Sequence, residues 1–159
     1  MNLFFLDEEN KLTDEIKALM LKAFHIALRN EFNEDEIDLE KFPIEVSVSI
    51  VTNDEIQTLN KEYRNIDKAT DVLSFPQFAS KEDFFENINE DVDNLLGDVV
   101  ISHEKAAFQA EEYGTGLTRE IVYLFVHSIF HLLGYDHMEE DEKKVMRARE
   151  DSVMEELGL

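Results

Sequence analysis

Three histidines in the second half of the chain have the spacing of a metal site. His127 and His131 are four residues apart inside an apolar run, residues 121–133, so on a helix they would project from the same face. Gly134 follows the run and is expected to end the helix in a left-handed turn, which would bring His137 back toward the other two. We therefore predict that His127, His131 and His137 bind one metal ion.

The predicted ion is Zn²⁺, although another divalent metal is compatible with the same ligands. A zinc ion with three protein ligands keeps a fourth position for water or substrate, and an open position is more typical of catalysis than of scaffolding. Bound zinc lowers the pKa of its water to about 7, which makes hydroxide available at neutral pH. The alternative is three unrelated polar residues, but a polar face on an apolar helix needs a partner, and a metal satisfies both imidazoles.

The same spacing, H-x-x-x-H-x-x-G-x-x-H, occurs in the metzincin peptidases, so the residue after the first histidine is informative. Those peptidases have a glutamate there as general base, whereas this chain has Ser128. A zinc peptidase is therefore one alternative function. It would lack the residue that accepts the proton in amide hydrolysis.

The segment from His127 to His137 resembles the signature of the YbeY family of bacterial metal-dependent endoribonucleases, H-G-x-L-H-L-x-G-Y-D-H. All three histidines and the Leu-x-Gly-Tyr-Asp-His ending are present, while Ser128 replaces the usual glycine and Phe130 the usual leucine. Neither replacement removes a ligand. Ser128 does add a side chain, which we expect to narrow the approach to the metal.

Two further strings in the expected order extend the resemblance over residues 44–137. The first runs from Leu59 to Arg64 and continues in residues 70–76, and the second is residues 95–102. The resemblance implies that Arg64 is the arginine that the family uses for activity. Its planar guanidinium suits bidentate binding of phosphate, although an arginine at a helix end can also pair with the helix dipole or a carboxylate.

Two polar residues within or directly after the last of these strings bear on the metal site. Asp98 could hold the other ring nitrogen of a ligand histidine, or it could cap a turn. His103 directly follows the same strand, and we leave it out of the metal site because three ligands are already present.

The acidity of the chain bears directly on any function with nucleic acid. Its 159 residues include 37 acidic and 15 basic ones, which gives a net charge of −22. Such a surface favours solubility and should repel polyanions, whereas nucleic-acid binders usually carry a basic footprint. RNA binding therefore requires a local basic groove, and the candidates for it are Lys61, Arg64, Lys68 and Arg119.

Composition also limits the possible metal ligands and the cellular location of the protein. The chain has no cysteine, which excludes disulfides and thiolate zinc sites and leaves histidine and carboxylate as metal ligands. No stretch approaches a membrane span of about 20 apolar residues, and the first residues lack the basic start of a signal peptide. We expect a soluble, cytoplasmic protein.

Length and hydrophobic content predict a single domain over residues 1–159. We predict the α+β (mixed α/β) class, with the histidine helix buried at its centre in a zincin-like arrangement. About four strands of a mixed sheet are expected at residues 3–6, 44–51, 70–76 and 95–102. Five or so helices are expected, beginning at caps Thr13, Thr52 and Thr118, at residue 104, and at an Asp136/Glu139 capping box. Residues 33–42 and 77–94 are expected to be loops.

Taken together, the resemblance implies a single-strand-specific, zinc-dependent endoribonuclease that acts in 16S rRNA 3′ end maturation and ribosome quality control. Its partners would be single-stranded RNA, ribosomal RNA and the small ribosomal subunit, with no role for DNA or a membrane. Besides the peptidase, a third alternative is a non-catalytic ribosome-binding factor whose metal stabilises the fold. The net charge favours this third alternative.

Overall fold

The computed structural model describes residues 1–32 and 38–159, and its strands form one mixed sheet. The order in the sheet is β1-β2-β4-β3, where β1, β2 and β4 run parallel and β3 lies antiparallel to β4 at one edge. The predicted class and strand number are confirmed. The strands are β1 (Asn2–Leu6), β2 (Ile44–Val51), β3 (Val72–Pro76) and β4 (Asn94–Ser102).

Six α-helices pack with the sheet in the described part of the chain. Five of them match the predicted helices, and the additional one is α3. None of the helices among residues 1–32 and 38–159 combines the length and apolar character needed to cross a bilayer. The helices are α1 (Asp14–Glu31), α2 (Asn53–Arg64), α3 (Lys81–Asn87), α4 (His103–Tyr113), α5 (Leu117–Leu132) and α6 (Glu140–Leu157).

Two of the predicted helix starts are confirmed by side-chain hydrogen bonds. Thr13 Oγ1 accepts from the Ile16 amide at 3.2 Å, and Thr52 Oγ1 accepts from the Glu55 amide at 3.2 Å. Each hydroxyl satisfies one of the backbone amides that a helix start leaves without an intrahelical partner. The cap residues are therefore a local feature that the sequence alone identifies.

Two other predicted caps are wrong. Thr118 lies inside α5, because the helix begins one residue earlier, after Gly116 at φ +82°. Asp136 Oδ1 accepts from the His137 amide at 2.7 Å, so it orders the loop between α5 and α6 instead of capping α6. The last helix begins after Glu139, whose side chain makes no capping hydrogen bond.

The loop predicted for residues 77–94 contains the helix α3. Ser80 Oγ accepts from the Asp83 amide at 3.1 Å, and Phe84 is fully buried in the main core. Asn94, also buried, donates from its side-chain amide to three backbone carbonyls and so holds the turn that leads into β4. Of the other predicted loop, residues 33–37 lie outside the described residues and Leu39–Lys41 forms a 3₁₀ turn.

The histidine helix α5 is the central buried helix, as predicted. It packs against α1, α4 and α6 and against strands β3 and β4. Gly97 of β4 allows the close approach, since a Cβ at that position would lie 2.6 Å from both Leu132 Cδ2 and the Phe75 carbonyl oxygen. The apolar faces of α5 fill the core, and only the side that carries the histidines opens to solvent.

Candidate metal centre

The three histidines predicted as ligands converge at the C-terminal end of α5. His127 and His131 lie one turn apart on the helix, and His137 lies in the loop that follows it. One candidate ligand atom from each residue lies within 4.8 Å of the other two. His137 is exposed and the other two are half-buried, so the cluster is open on one side.

Gly134 produces the chain reversal that brings the third histidine back. Its φ is +92°, a region that residues with a side chain rarely adopt, and its amide donates to the His131 carbonyl at 3.0 Å. A Cβ at this position would also lie 3.2 Å from Ser80 Cα. Glycine is therefore required both by the backbone conformation and by the packing of the loop against the start of α3.

The hydrogen bonds of the first two histidines define which ring nitrogens carry protons. His131 Nδ1 lies 2.9 Å from the Tyr135 carbonyl oxygen, which only accepts, so Nδ1 is the protonated nitrogen. His127 Nδ1 lies 2.6 Å from Glu150 Oε1 and donates to that carboxylate. A neutral imidazole is the form that binds a metal, and with Nδ1 as the donor its Nε2 atom carries the lone pair.

These two lone pairs face each other. The Nε2 atoms of His127 and His131 are 3.1 Å apart, a distance at which two acceptors repel unless a positive species is shared between them. Two nitrogens that bind one zinc ion tetrahedrally at roughly 2.0–2.1 Å are about 3.4 Å apart. The donor set and its protonation therefore fit a divalent cation, with His137 as the third nitrogen ligand.

Burial keeps one of these rings neutral. The pKa of His131 is lowered to about 4, first because burial disfavours the charged imidazolium, and second because His127 and His137 lie nearby. A neutral imidazole is the form that binds a metal, so His131 remains a competent ligand well below neutral pH.

Glu150 is a residue of the site that the sequence did not indicate. It lies on α6, is 3% exposed, and accepts both from His127 Nδ1 and from the Tyr123 hydroxyl, at 2.6 and 2.9 Å. Such a carboxylate fixes the tautomer of a ligand histidine and increases its basicity. One signal was available in retrospect: Glu150 interrupts the buried stripe of α6 that Met146, Val153 and Met154 otherwise form.

Tyr135 anchors the loop that carries His137. Its hydroxyl donates to Glu31 Oε2 at 2.6 Å, and burial followed by this hydrogen bond raises its pKa to about 12, so it remains a donor at neutral pH. The Glu31 carboxylate is 1% exposed and also pairs with Lys81 at 3.1 Å and Arg149 at 3.5 Å. Helices α1, α3 and α6 thereby hold the loop.

A cleft of about 660 Å³ opens beside the histidines and includes Arg64. It extends along β3, the edge strand of the sheet, from the histidine end of α5 to the C-terminal end of α2. Arg64 is the last residue of α2, so it lies at a helix end, as predicted. It also lines this cleft. Arg64 and the three histidines, the residues predicted for the site, thus share one cleft.

The predicted basic groove does not coincide with the cleft beside the histidines. Of its four candidates only Arg64 lines the cleft, and it is the only lysine or arginine among the described residues that do. Lys61 pairs with Asp67 at 3.6 Å, outside the cleft, and neither Lys68 nor Arg119 reaches it. The spacing of these cations along the chain did not reveal that only Arg64 lines the cleft.

Three further expectations about single residues are resolved. Ser128 does not narrow the cleft, because it is fully buried and its hydroxyl lies 2.5 Å from Ser74 Oγ. Asp98 holds neither His127 nor His131, whose Nδ1 atoms bind elsewhere. His103 lines a separate cleft at the ends of β1 and β2, in agreement with its exclusion from the metal site.

The family model described as Endoribonuclease YbeY matches residues 4–158. The chain belongs to the YbeY family. The resemblance noted on three sequence strings thus extends over nearly the whole chain.

Two relatives within the YbeY family are similar to this chain over nearly their full length. A protein named Endoribonuclease YbeY from Caldanaerobacter subterraneus is 47% identical, covering 100% of this chain and 99% of the relative. A protein of the same name from Caldicellulosiruptor bescii is 45% identical with the same coverage. Among solved structures, the solution structure of TM1509 from Thermotoga maritima matches with a TM-score of 0.63 and 26% identity, over 98% of this chain and 89% of that one.

Proposed function

We propose that the protein is a metal-dependent endoribonuclease that cleaves single-stranded RNA. The observation that carries this proposal is the cluster of three histidines, with ligand atoms within 4.8 Å of one another, in a cleft that also contains Arg64. The names of the full-length relatives support the choice of RNA as substrate. The reaction class is hydrolysis or transesterification at a phosphodiester.

His127, His131 and His137 would hold the cation, for which we propose Zn²⁺. When bound, the cation supplies Lewis-acid chemistry, because it polarises a phosphoryl oxygen and lowers the pKa of a water molecule. The donor set contains only imidazole nitrogens, which suit zinc but also other transition metals, so metal analysis of the purified protein is needed to identify the ion.

The residues of the chain have distinct tasks around the scissile phosphate. Arg64 binds the phosphate oxygens through its planar guanidinium and offsets the negative charge that develops in the transition state. Glu150 and the Tyr135 carbonyl hold the Nδ1 protons of the two helix histidines, so both Nε2 lone pairs stay directed into the site. The open side at His137 admits the substrate.

Beyond the reaction class, we propose 16S rRNA as the substrate, near its 3′ end, on the small ribosomal subunit in the cytoplasm, with a role in ribosome quality control. The resemblance to the YbeY family supports this more specific role. In a strain that lacks the native gene, complementation with an Arg64→Ala variant should leave 16S rRNA with unprocessed 3′ ends. Complete processing in that strain would contradict the role of Arg64, and unprocessed 3′ ends in a strain complemented with the wild-type gene would contradict the proposed substrate.

A zinc peptidase is the second candidate, and one structural observation favours it. The edge strand β3 lines the cleft beside the histidines, where an extended peptide could add to the sheet. At the position where the metzincin peptidases have their general base, however, this chain has Ser128. Its side chain is buried and hydrogen-bonded to Ser74, so it is not directed into the cleft. The peptidase therefore lacks its proton acceptor, and we favour the nuclease.

The decisive experiment combines metal analysis with cleavage of a labelled single-stranded RNA, with and without chelator. His131→Ala should lose both bound metal and cleavage, whereas Arg64→Ala should keep its metal and lose most of its turnover. His25→Ala, outside the cluster, is the matched control and should behave as wild type. Hydrolysis of casein instead of RNA would favour the peptidase, and a folded His131→Ala variant with full cleavage would exclude a catalytic metal.

A further inference from the structure

We propose that Tyr63 and the free edge of β3 form a subsite that binds one unpaired base of the RNA. This inference rests on the proposed function and adds to it the part of the cleft that recognises a nucleobase. Tyr63 lines the same cleft as Arg64 and the histidines, and its side chain is 62% exposed. An exposed aromatic side chain in a cleft is a typical stacking surface for bases of single-stranded nucleic acids.

The ring of Tyr63 is held in place without being covered. Its centroid lies 5.1 Å from that of Phe75 on β3, with an angle of 68° between the two planes, which is an edge contact. In such a contact the edge of one ring meets a face of the other, so at least one face of Tyr63 stays uncovered, in agreement with its 62% exposure. Tyr63 is thus a pre-oriented aromatic surface, and little conformational entropy is lost when a base stacks on it.

The neighbouring strand presents unpaired backbone groups. The Asp71 carbonyl accepts from the Ser102 amide at 2.9 Å, and the Gln77 amide donates to the Leu96 carbonyl at 3.1 Å, so the backbone groups of residues 71 and 77 face β4. In an antiparallel pair this direction alternates along the strand. The N–H and C=O of Ser74 therefore face the outer edge, where the cleft lies.

A donor and an acceptor on one residue match the edge of a nucleobase, which also presents donors beside acceptors. Only an unpaired base has both its hydrogen-bonding edge and its ring faces available. The subsite would therefore select single strands over duplexes by its chemistry. The residue after Tyr63 is Arg64, and adjacent residues on a helix point about 100° apart, so base and phosphate of one nucleotide can be bound at the same time.

The charge of the protein explains why such a subsite is needed. Net charge is −22, and Arg64 is the one lysine or arginine among the described residues that line the cleft, so phosphate contacts contribute little to RNA affinity. Base stacking does not depend on the charge of the protein. The aromatic surface of Tyr63 supplies the attraction that a basic groove supplies in other nucleases.

The test uses the metal-loaded protein and a short single-stranded RNA that contains the fluorescent base 2-aminopurine. Tyr63→Leu keeps an apolar contact with Phe75 but has no ring, and Tyr63→Phe keeps the ring. The control is Tyr113→Leu, because Tyr113 is 63% exposed and lies on another helix, α4, away from the cleft. Circular dichroism and metal content are measured for each variant alongside KM and kcat.

Tyr63→Leu is expected to raise KM roughly 5- to 150-fold with kcat and metal content unchanged, since stacking on a base, which takes no part in the bond changes at phosphorus, contributes equally to substrate and transition state. The fluorescence quenching of 2-aminopurine should be lost in the same variant and retained in Tyr63→Phe and Tyr113→Leu. Wild-type KM and quenching in Tyr63→Leu would overturn the subsite while leaving the nuclease proposal intact. A wild-type protein that neither binds nor cleaves the RNA would overturn both.

Discussion

Glu150 Oε1 on α6 and His127 Nδ1 on α5 are 2.6 Å apart, although the two residues are separated by 23 positions in the sequence. The carboxylate is 3% exposed, and its second oxygen accepts from Tyr123. Burial of a carboxylate is unfavourable unless its oxygens are hydrogen-bonded. The position of Glu150 thus links the packing of the last helix to the orientation of one candidate metal ligand.

Glu150→Gln should therefore weaken metal binding about 10-fold or more, because the loss of the carboxylate lowers the basicity of His127 and loosens its orientation. The affinity is measured by competition with a chromophoric chelator. Glu156→Gln is the control, since Glu156 lies on the same helix and pairs with Arg29 at the surface, away from the histidines. Equal metal affinity in Glu150→Gln and wild type would contradict this role.

The lowered pKa of His131 predicts how stability depends on pH. Its pKa is about 4 in the folded protein and about 6.5 in the unfolded chain, so between these values the unfolded state binds more protons. The free energy of unfolding of the metal-free protein should therefore decrease as the pH falls from about 6.5 to about 4.

This contribution can be isolated by comparison with His131→Asn. The pKa values of His25 and His103 are also lowered, mainly by burial. These two histidines therefore give the free energy of unfolding a pH dependence of the same sign in both proteins. Urea denaturation in the presence of chelator, repeated at several pH values, should give a shallower pH dependence for His131→Asn. Identical pH profiles for the two proteins would argue against a neutral, buried His131.

RNA binding should depend only weakly on salt. For single strands, the slope of log K against log salt concentration is about −0.7 for each phosphate neutralised, so Arg64 alone predicts a slope near −0.7. A groove formed by all four predicted cations would give about −2.8. Filter binding of a single-stranded RNA at several salt concentrations distinguishes the two values, and a steep slope would reveal a basic surface outside the cleft.

Gly134→Ala should destabilise the fold and weaken metal binding, because the substitution strains a backbone at φ +92° and brings a Cβ within 3.2 Å of Ser80 Cα. We expect a cost of about 1–3 kcal/mol from the backbone conformation alone. Gly114→Ala separates the two effects, since Gly114 has a φ of +66° but nothing within 4 Å of its Cβ position. Thermal melts should show a loss of stability in both variants, whereas metal affinity should fall only in Gly134→Ala.

Much of the fold could be predicted because it depends on local patterns. The alternation in residues 44–51 is that of β2, and the threonines at 13 and 52 cap their helices by bonding amides three residues ahead. The loop predicted at residues 77–94 was wrong for the part that forms α3, because a helix of seven residues is too short for the spacing of its apolar residues to distinguish it from a loop. Phe84 is fully buried only because the core reaches α3 in the folded protein.

The candidate site likewise has features that local sequence spacing predicts and features that depend on tertiary packing. By itself the sequence determined that His127, His131 and His137 could meet, because a spacing of four residues and a glycine turn are short-range geometry. Only the tertiary structure decided that Glu150 and Glu31 hold this part of the chain through hydrogen bonds to His127 and Tyr135. It also decided that, of the lysines and arginines among the described residues, only Arg64 lines the cleft, and that the edge strand β3 lies beside it. These relationships join segments distant in sequence, so they depend on strand order and helix packing, which local spacing does not specify.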